Sequence, residues 1–303
     1  MDGINVMIDK VKRAIKMGNL SNKIPCYIFE KLGFSNEEIQ DLEVRNKSYI
    51  YFKKKYSKYL DGISKTDYKV ETDNKIVWVC WFQGYDNAPD IVKKCIDSMY
   101  KWLPEYQIVI ITTENLFKYI ELPDYIIEKW KNGIITNTLF SDFVRLDLLN
   151  RYGGIWIDST VYFTGPLPQY VNSSDFFMFR CNHYDIPKFG ESWFIKSSPN
   201  NEVLYKTLQL MNEYWKHESK IRDYFQMFIF MKIVIERDSS KIKNMIKIPN
   251  SIPHMLQAYL NDGFDKDIYN EICKITPIHK LTYKNIDWNV KNSFVNYIIN
   301  DGE

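Results

Sequence analysis

The chain has 303 residues, 45% of them hydrophobic and 26% charged, with a formal net charge of +2. That length can bury a sizeable core, and that charge lacks the basic excess of a dedicated nucleic-acid binder, so no nucleic-acid partner is expected. Aromatic residues are abundant, with 22 Tyr, 18 Phe and 8 Trp; most must fill the core, but such rings also suit sugars and nucleobases.

Met1 to Gly18 has no continuous apolar run and does not read as a signal peptide. Residues 1–74 read as a helical appendage, with Val6, Ile8, Val11, Ile15 and then Ile24, Tyr27, Ile28, Leu32 at helix-like spacing. Within it, Lys47 to Leu60 carries five lysines, no acid and five Tyr or Phe rings. One reading is an amphipathic helix with a solvated lysine face; the other is a patch that rests peripherally on anionic lipid.

The pattern changes at Lys75. KIVWVCWF has the β-branched and aromatic character of a strand. Ile91, Val92, Cys95, Ile96 and Met99 then form a helical stripe, and YQIVIIT (Tyr106 to Thr112) is a second strand. Such a strand–helix–strand unit forms a parallel crossover, with ligands beyond the carboxyl ends of its strands, here near Trp81 to Asp86. A helix over Thr138 to Tyr152 is stopped by Gly153-Gly154 and followed by the short strand IWID. Later strands (DFFMFRC, SWFIK) alternate with helices near 200–217 and 221–237. Residues 75–303 therefore read as one α/β domain with a mixed sheet.

Five cysteines, Cys26, Cys80, Cys95, Cys181 and Cys273, are dispersed without CxxC spacing, as reduced thiols of a cytosolic protein would be. The most apolar stretch, Tyr224 to Ile235, is broken by Gln226 and Lys232 and is shorter than the ~20 residues of a membrane span. The expectation is a cytoplasmic protein, soluble or peripheral at the inner face of the membrane.

Helix 138–152 is apolar over nearly its whole circumference, which places Asp142 and Arg145 on a buried or half-buried face. Charges there are costly unless paired. They could bridge each other at i,i+3 as a structural pair, or face a cleft and bind a polar ligand. Asp158, at the end of the strand that follows, stands where α/β proteins bind ligands and suits a divalent cation or ribose hydroxyls. Ser159 and Thr160 add neutral oxygens. His183 and His217 read as surface residues, Cys80 as strand packing, and Asp223 as either a cleft residue or a local cap.

The run SDFVRLDLLNRYGGIWIDSTVYFTGPLP (Ser141 to Pro168) resembles the capsular polysaccharide synthesis family of glycosyltransferases, related to the family 32 sugar transferases with a DxD motif. The segments Val77 to Ser98, Ser192 to Ile195, Arg222 to Phe228, Pro253 to Gln257 and Ile278 to Lys284 extend the resemblance over most of the chain from residue 75 onward. It implies a GT-A-type, Rossmann-like mixed sheet flanked by helices. It also implies a nucleotide-sugar donor, commonly UDP-linked, a divalent metal (Mn²⁺ or Mg²⁺) and retention of anomeric configuration. The acceptor it implies is a saccharide, lipid-linked, in surface polysaccharide synthesis.

By that resemblance Asp142 and Arg145 match the pair that holds the donor sugar, and Asp158 the first Asp of the DxD motif; Asp142 and Asp158 are the catalytic candidates. Trp78, Trp81, Phe82 and Lys280 fall to the nucleotide, and His279 and Thr160 beside the metal. Ser192, Trp193 and His254 fall to the acceptor. Thr160 stands where the second DxD carboxylate would be, so the metal is expected to lean on Asp158, the diphosphate, water and His279, with Lys280 sharing the diphosphate charge. The departure also leaves room for a non-catalytic nucleotide-sugar-binding module. A toxin-like protein glycosyltransferase is the third reading, against which the lack of any recognisable delivery segment counts.

Overall fold

The computed structural model describes residues 32–33, 36–64, 67–68, 75–181 and 184–300. The apolar stripes expected at residues 6–15 and 24–28, Cys26 and His183 lie outside them. In chain order the elements are α1 (Glu37–Tyr56), β1 (Ile76–Cys80), α2 (Asp90–Trp102), β2 (Gln107–Ile111), α3 (Asp124–Lys131), α4 (Asn137–Tyr152), β3 (Gly154–Ile157) and β4 (Val161–Phe163). There follow α5 (Gln169–Asn172), β5 (Phe176–Arg180), β6 (Gly190–Ser197), α6 (Glu202–His217), α7 (Gln226–Arg237), α8 (Met255–Ala258), α9 (Lys266–Ile275), β7 (Ile278–Lys280) and α10 (Phe294–Ile299).

The sheet runs β2-β1-β3-β6-β5. β1 pairs in parallel with both β2 and β3, whereas β6 pairs antiparallel with β3 and with β5. The expected α/β class and mixed sheet are therefore observed. The two-residue period of a strand divides the central strands between two cores. Val77, Val79, Ile155 and Ile157 face the layer that contains α2 and α10. Trp78 and Trp156 face the opposite layer, which contains α4, α6 and α7. A second ladder, β4 against β7, pairs Val161 with Lys280 and Tyr162 with His279.

Segment 47–60 forms the end of α1 and a following 3₁₀ turn, and it belongs to this same body. Phe52 is fully buried and stacks on Phe230 of α7 with ring centroids 4.9 Å apart, while Tyr56 and Leu60 are buried beside it. The lysines stay on the solvent side, where Lys53 pairs with Glu236 (2.9 Å) and Lys55 with Glu218 (2.7 Å). This is the arrangement of the amphipathic-helix reading. Among the described residues no helix is long and apolar enough to cross a membrane. The helix expected from residue 221 starts at Gln226 instead. Asp223 Oδ1 accepts from the Phe225 N–H (2.9 Å) just before it, so Asp223 closes a local turn at the entry to the helix.

The joint between α4 and β3 positions the site. Gly153 and Gly154 have φ of +67° and +92°, which side-chain-bearing residues rarely adopt. A Cβ on Gly154 would also lie 2.4 Å from the Ile76 carbonyl oxygen. Glycine alone lets the chain leave a buried helix and enter β3 directly beside β1. Four residues later it reaches Asp158, whose N–H donates to the Trp193 carbonyl (2.8 Å).

Candidate active site

α4 is a central helix, begun by Thr136, whose hydroxyl accepts from the Leu139 N–H (3.3 Å). Asp142 and Arg145 are 7% and 5% exposed, so neither charge can be left to solvent. Arg145 Nη1 donates to Asp142 Oδ1 at 2.5 Å, and Nη2 lies 3.2 Å from Ser141 Oγ and 3.6 Å from Asp158 Oδ1. The guanidinium also stands over the Trp156 ring, 4.8 Å from its centroid, and the Trp156 indole donates to Asp158 Oδ1 at 2.9 Å. One cation thus links two carboxylates, and one tryptophan orients both the cation and the second carboxylate. Trp156 was not among the sequence-derived candidates. Its signal was available, because alternation in IWID puts it on the same side of β3 as Asp158.

This group is incompletely satisfied. Arg145 Nε has no hydrogen-bond partner among the described residues, and the Asp158 side chain is 31% exposed. Burial, opposed by Arg145 and reinforced by Asp158, pushes the Asp142 carboxyl up to about 6. A buried guanidinium with an unused donor beside a half-open carboxylate suits hydroxyl-rich ligands. The nearby Cys80 thiol is pushed up to about 12 by burial, as inert strand packing should be.

The other candidates divide. Trp81 is half-buried, meets the Tyr283 ring edge-on at 5.5 Å, and its indole N–H has no partner among the described residues. It stands at the carboxyl end of β1, as expected. Trp78 does not. Its ring is 1% exposed and its indole donates to the Gly153 carbonyl (2.9 Å), so it braces the glycine joint from within the core. Strand alternation explains the difference, since Trp78 points into the α4 layer. Phe82 is 8% exposed and packs beside Trp130 and Phe140, which leaves little ring face for a ligand.

Trp193 is buried and stacks on Phe179 (4.7 Å), with its indole donating to Asn250 Oδ1 (3.0 Å). His254 meets its edge at 5.8 Å and holds the Asn250 carbonyl through Nδ1 (2.9 Å). Burial, with Lys280 and Lys188 nearby, lowers the His254 pKa. Asn250 joins these residues to Glu191 (3.2 Å), which Lys188 also holds (2.8 Å), and Ser192 sits half-buried at the start of that cluster. Nothing local in the sequence marks Asn250, because the partners of its side chain, Trp193 and Glu191, lie far along the chain. His217 is on the surface, paired with Glu213.

His279 does not join Asp158. In the β4–β7 ladder it shares a face with Tyr162, whereas Lys280 on the opposite face reaches Thr160. His279 is fully buried, its Nε2 is 2.9 Å from Thr164 Oγ1, and burial pushes its pKa down to about 4. The Thr160 hydroxyl is occupied too, accepting from Lys280 Nζ at 2.6 Å. Among the described residues no group of three or more His, Cys, Asp or Glu is arranged to hold a metal. A hard divalent ion here would have Asp158 as its single protein carboxylate, with the remaining oxygens from ligand and water, because His279 is engaged with Thr164 and Thr160 with Lys280.

The chain is thus an α/β protein whose carboxylate–guanidinium–carboxylate group stands at the carboxyl end of β3, the place where open α/β sheets bind ligands. The family model for capsular polysaccharide synthesis proteins matches residues 30–298, and the chain belongs to that family. It is also 31% identical over 97 residues to the O-glycosyltransferase braB of Annulohypoxylon truncatum; the match spans 29% of this chain and 23% of that protein. The solved structure titled PaToxG Glycosyltransferase aligns over 88% of this chain and 95% of its own, at 14% identity and a TM-score of 0.38, a likeness too loose to carry an argument.

Proposed function

We propose that the protein is a glycosyltransferase with a GT-A-type site, moving a hexose from a nucleotide sugar to a saccharide acceptor in capsular polysaccharide synthesis. The observation that carries this reading is the Asp142–Arg145–Asp158 group at the carboxyl end of β3. Family membership and the partial match to an O-glycosyltransferase support it. The donor is UDP-linked, transfer retains anomeric configuration, and the acceptor is a lipid-linked saccharide met at the cytoplasmic face.

In this reading Arg145 and Asp142 hold the hydroxyls of the donor sugar, and Asp158 aligns the sugar from the strand side. Breaking the anomeric bond puts positive character on the sugar and negative charge on the departing diphosphate. Asp142 and Asp158 stabilise the first. Trp81 offers its ring and its free indole N–H to the nucleotide, and the half-buried His254 and Ser192 line the acceptor side, braced from behind by the buried Trp193. A bound Mn²⁺ or Mg²⁺, held by Asp158, would neutralise part of the diphosphate charge. Among the described residues no side chain stands out as a covalent nucleophile, and the family resemblance favours attack by the acceptor on the face the diphosphate leaves, with the diphosphate taking its proton.

The test is turnover of a panel of UDP-sugars, with oligosaccharide acceptors and with water, by the wild type and by Asp142→Asn and Asp158→Asn. Loss in both variants, with their circular dichroism intact, is the expected result. Full activity in both removes the site assignment, and nucleotide binding without turnover on any donor makes the protein a binding module instead.

A further inference from the structure

Residues 1–74 read as an appendage from sequence, yet α1 sends one cation into the connection between β5 and β6. Arg45 forms an ion pair with Asp185, and their side chains are only 11% and 14% exposed. The guanidinium also lies over the Phe225 ring, 4.0 Å from its centroid, so packing holds it as well as charge. Asp185 opens a turn that closes where the Lys188 N–H donates to the Asp185 carbonyl (2.9 Å).

Lys188 carries the connection onward. Its ammonium holds both oxygens of Glu191, each at 2.8 Å, and stands over the Phe225 and Phe228 rings at 5.1 and 4.9 Å. Glu191 Oε1 also accepts from Asn250 Nδ2 (3.2 Å) and from the Cys181 thiol (3.1 Å). The Asn250 carbonyl takes His254 Nδ1 (2.9 Å). A carbonyl can only accept, so in the neutral ring the proton sits on Nδ1 and Nε2 is left as an acceptor. Two ion pairs in series, one turn of chain apart, thus join α1 to the group around Asn250. Removing one partner of such a pair leaves the other charge buried and unpaired. Without Arg45 the turn must shift to hydrate Asp185, and Lys188 shifts with it. The side chains of this series share no hydrogen bond or ion pair with Asp142, Arg145 or Asp158 among the described residues.

We propose that Arg45 is a positioning residue for the acceptor. Through Asp185, Lys188 and Glu191 it fixes Asn250 and His254, so that α1 governs use of the acceptor while the donor group works without it. The proposal rests on the reading that His254 and Ser192 meet the acceptor.

The experiment uses the full chain with the UDP-sugar and oligosaccharide that turn over fastest in the panel above. Transfer to the oligosaccharide and hydrolysis by water are measured for wild type, Arg45→Gln, Arg45→Lys, Asp185→Asn, the double variant Arg45→Gln/Asp185→Asn and His254→Ala, each checked by thermal melting. Arg45→Gln and Asp185→Asn should each raise the acceptor KM about 3–30-fold, the range for residues acting through a packed network. Donor KM and hydrolysis should stay at wild-type values. The double variant should match the worse single one, because both remove the same link, and Arg45→Lys should recover much of the loss. Hydrogen exchange should quicken at residues 184–191 and 250–256 and hold steady at 142–158. If Arg45→Gln does not fold, Asp185→Asn decides on the same readouts. A wild-type acceptor KM in folded Asp185→Asn, losses that multiply in the double variant, or hydrolysis falling in step with transfer overturns the proposal. A raised acceptor KM in His254→Ala with none in Arg45→Gln strikes the proposal alone and leaves the acceptor reading standing. An unchanged acceptor KM in His254→Ala removes that reading, and the proposal falls with it, as it does if wild type turns over no pair in the panel.

Discussion

One helix carries two acid–guanidinium pairs, and they differ in how far the protein itself satisfies them. Toward its carboxyl end, Asp147 Oδ2 accepts from Arg151 Nε (2.8 Å) and from the Glu121 N–H (3.0 Å). Arg151 also reaches the Glu121 carboxylate (3.1 Å) and lies over the Tyr68 ring (4.9 Å). Each group there has several partners, and the arrangement clamps the segment before α3 to the helix. One turn earlier, Asp142 and Arg145 are as deeply buried but leave Arg145 Nε unused and face the part-exposed Asp158. Burial raises the pKa of both aspartates, so desolvation does not separate them. What differs is whether the polar atoms are used up within the protein. A saturated pair holds the fold together, and an unsaturated one is free to hold a ligand.

The sharpest way to break this comparison is to remove charge at the unsaturated end. Asp158→Asn and Asp142→Asn should each lower turnover about 10²–10³-fold, the usual scale for an electrostatic contact at a reacting centre, with the fold retained. At the saturated end, Asp147→Ala should cost about 3 kcal/mol of stability, as expected for a broken buried pair, while turnover per folded molecule is unchanged. Urea denaturation alongside donor hydrolysis reads both, and equal activity losses at the two ends would erase the distinction.

The pH response sharpens it further. With its pKa near 6, Asp142 gains a proton as pH falls through that value, so donor affinity should weaken below pH 6 in wild type and lose that limb in Asp142→Asn. The sign for folding is opposite. The native chain keeps this proton up to about 6, whereas an unfolded aspartate releases it near 3.8, so Asp142 makes stability decline as pH rises between those values. Thermal melts across that range check it.

Arg145→Lys keeps the charge but not the planar fork that spans both carboxylates. It should raise the donor KM about tenfold, one lost hydrogen bond to a charged group, and a KM unchanged from wild type would count against Arg145 as a sugar contact. The smallest effect is expected far from this helix. Lys53→Ala should shift stability by no more than about 1 kcal/mol, since exposed ion pairs contribute little, and should leave turnover alone.

Much of the fold was legible because its signals are local. The alternation of KIVWVCWF and YQIVIIT, the stripe between them, and the glycine pair after an apolar helix each follow from periodicity or backbone freedom within a few residues. The unit β1–α2–β2 and the joint from α4 into β3 came out as read. Asp142, Arg145 and Asp158 were legible for the same reason: a helix, a stop and a four-residue strand fix their relative positions. Other assignments failed where orientation depended on distant partners. Trp78 looked like its neighbour Trp81, yet one points into the α4 layer and the other stands past the strand end. His279 and Lys280 are adjacent in sequence and face opposite sides of a ladder whose other strand lies over a hundred residues away. Segment 47–60 read as part of an appendage, and only α6 and α7 show what its aromatic face covers.

The sequence by itself determined the α/β class, the order of the central elements and the distance along the chain from Asp142 to Asp158. Those follow from hydrophobic period and from glycines that no other residue could replace at those φ values. The tertiary structure decided which charged groups are left unsatisfied, that Trp156 holds Arg145 and Asp158 together, and that Lys280 meets Thr160. Hydrogen bonds between segments remote in sequence leave no periodic trace, because each strand reads the same whichever partner it finds.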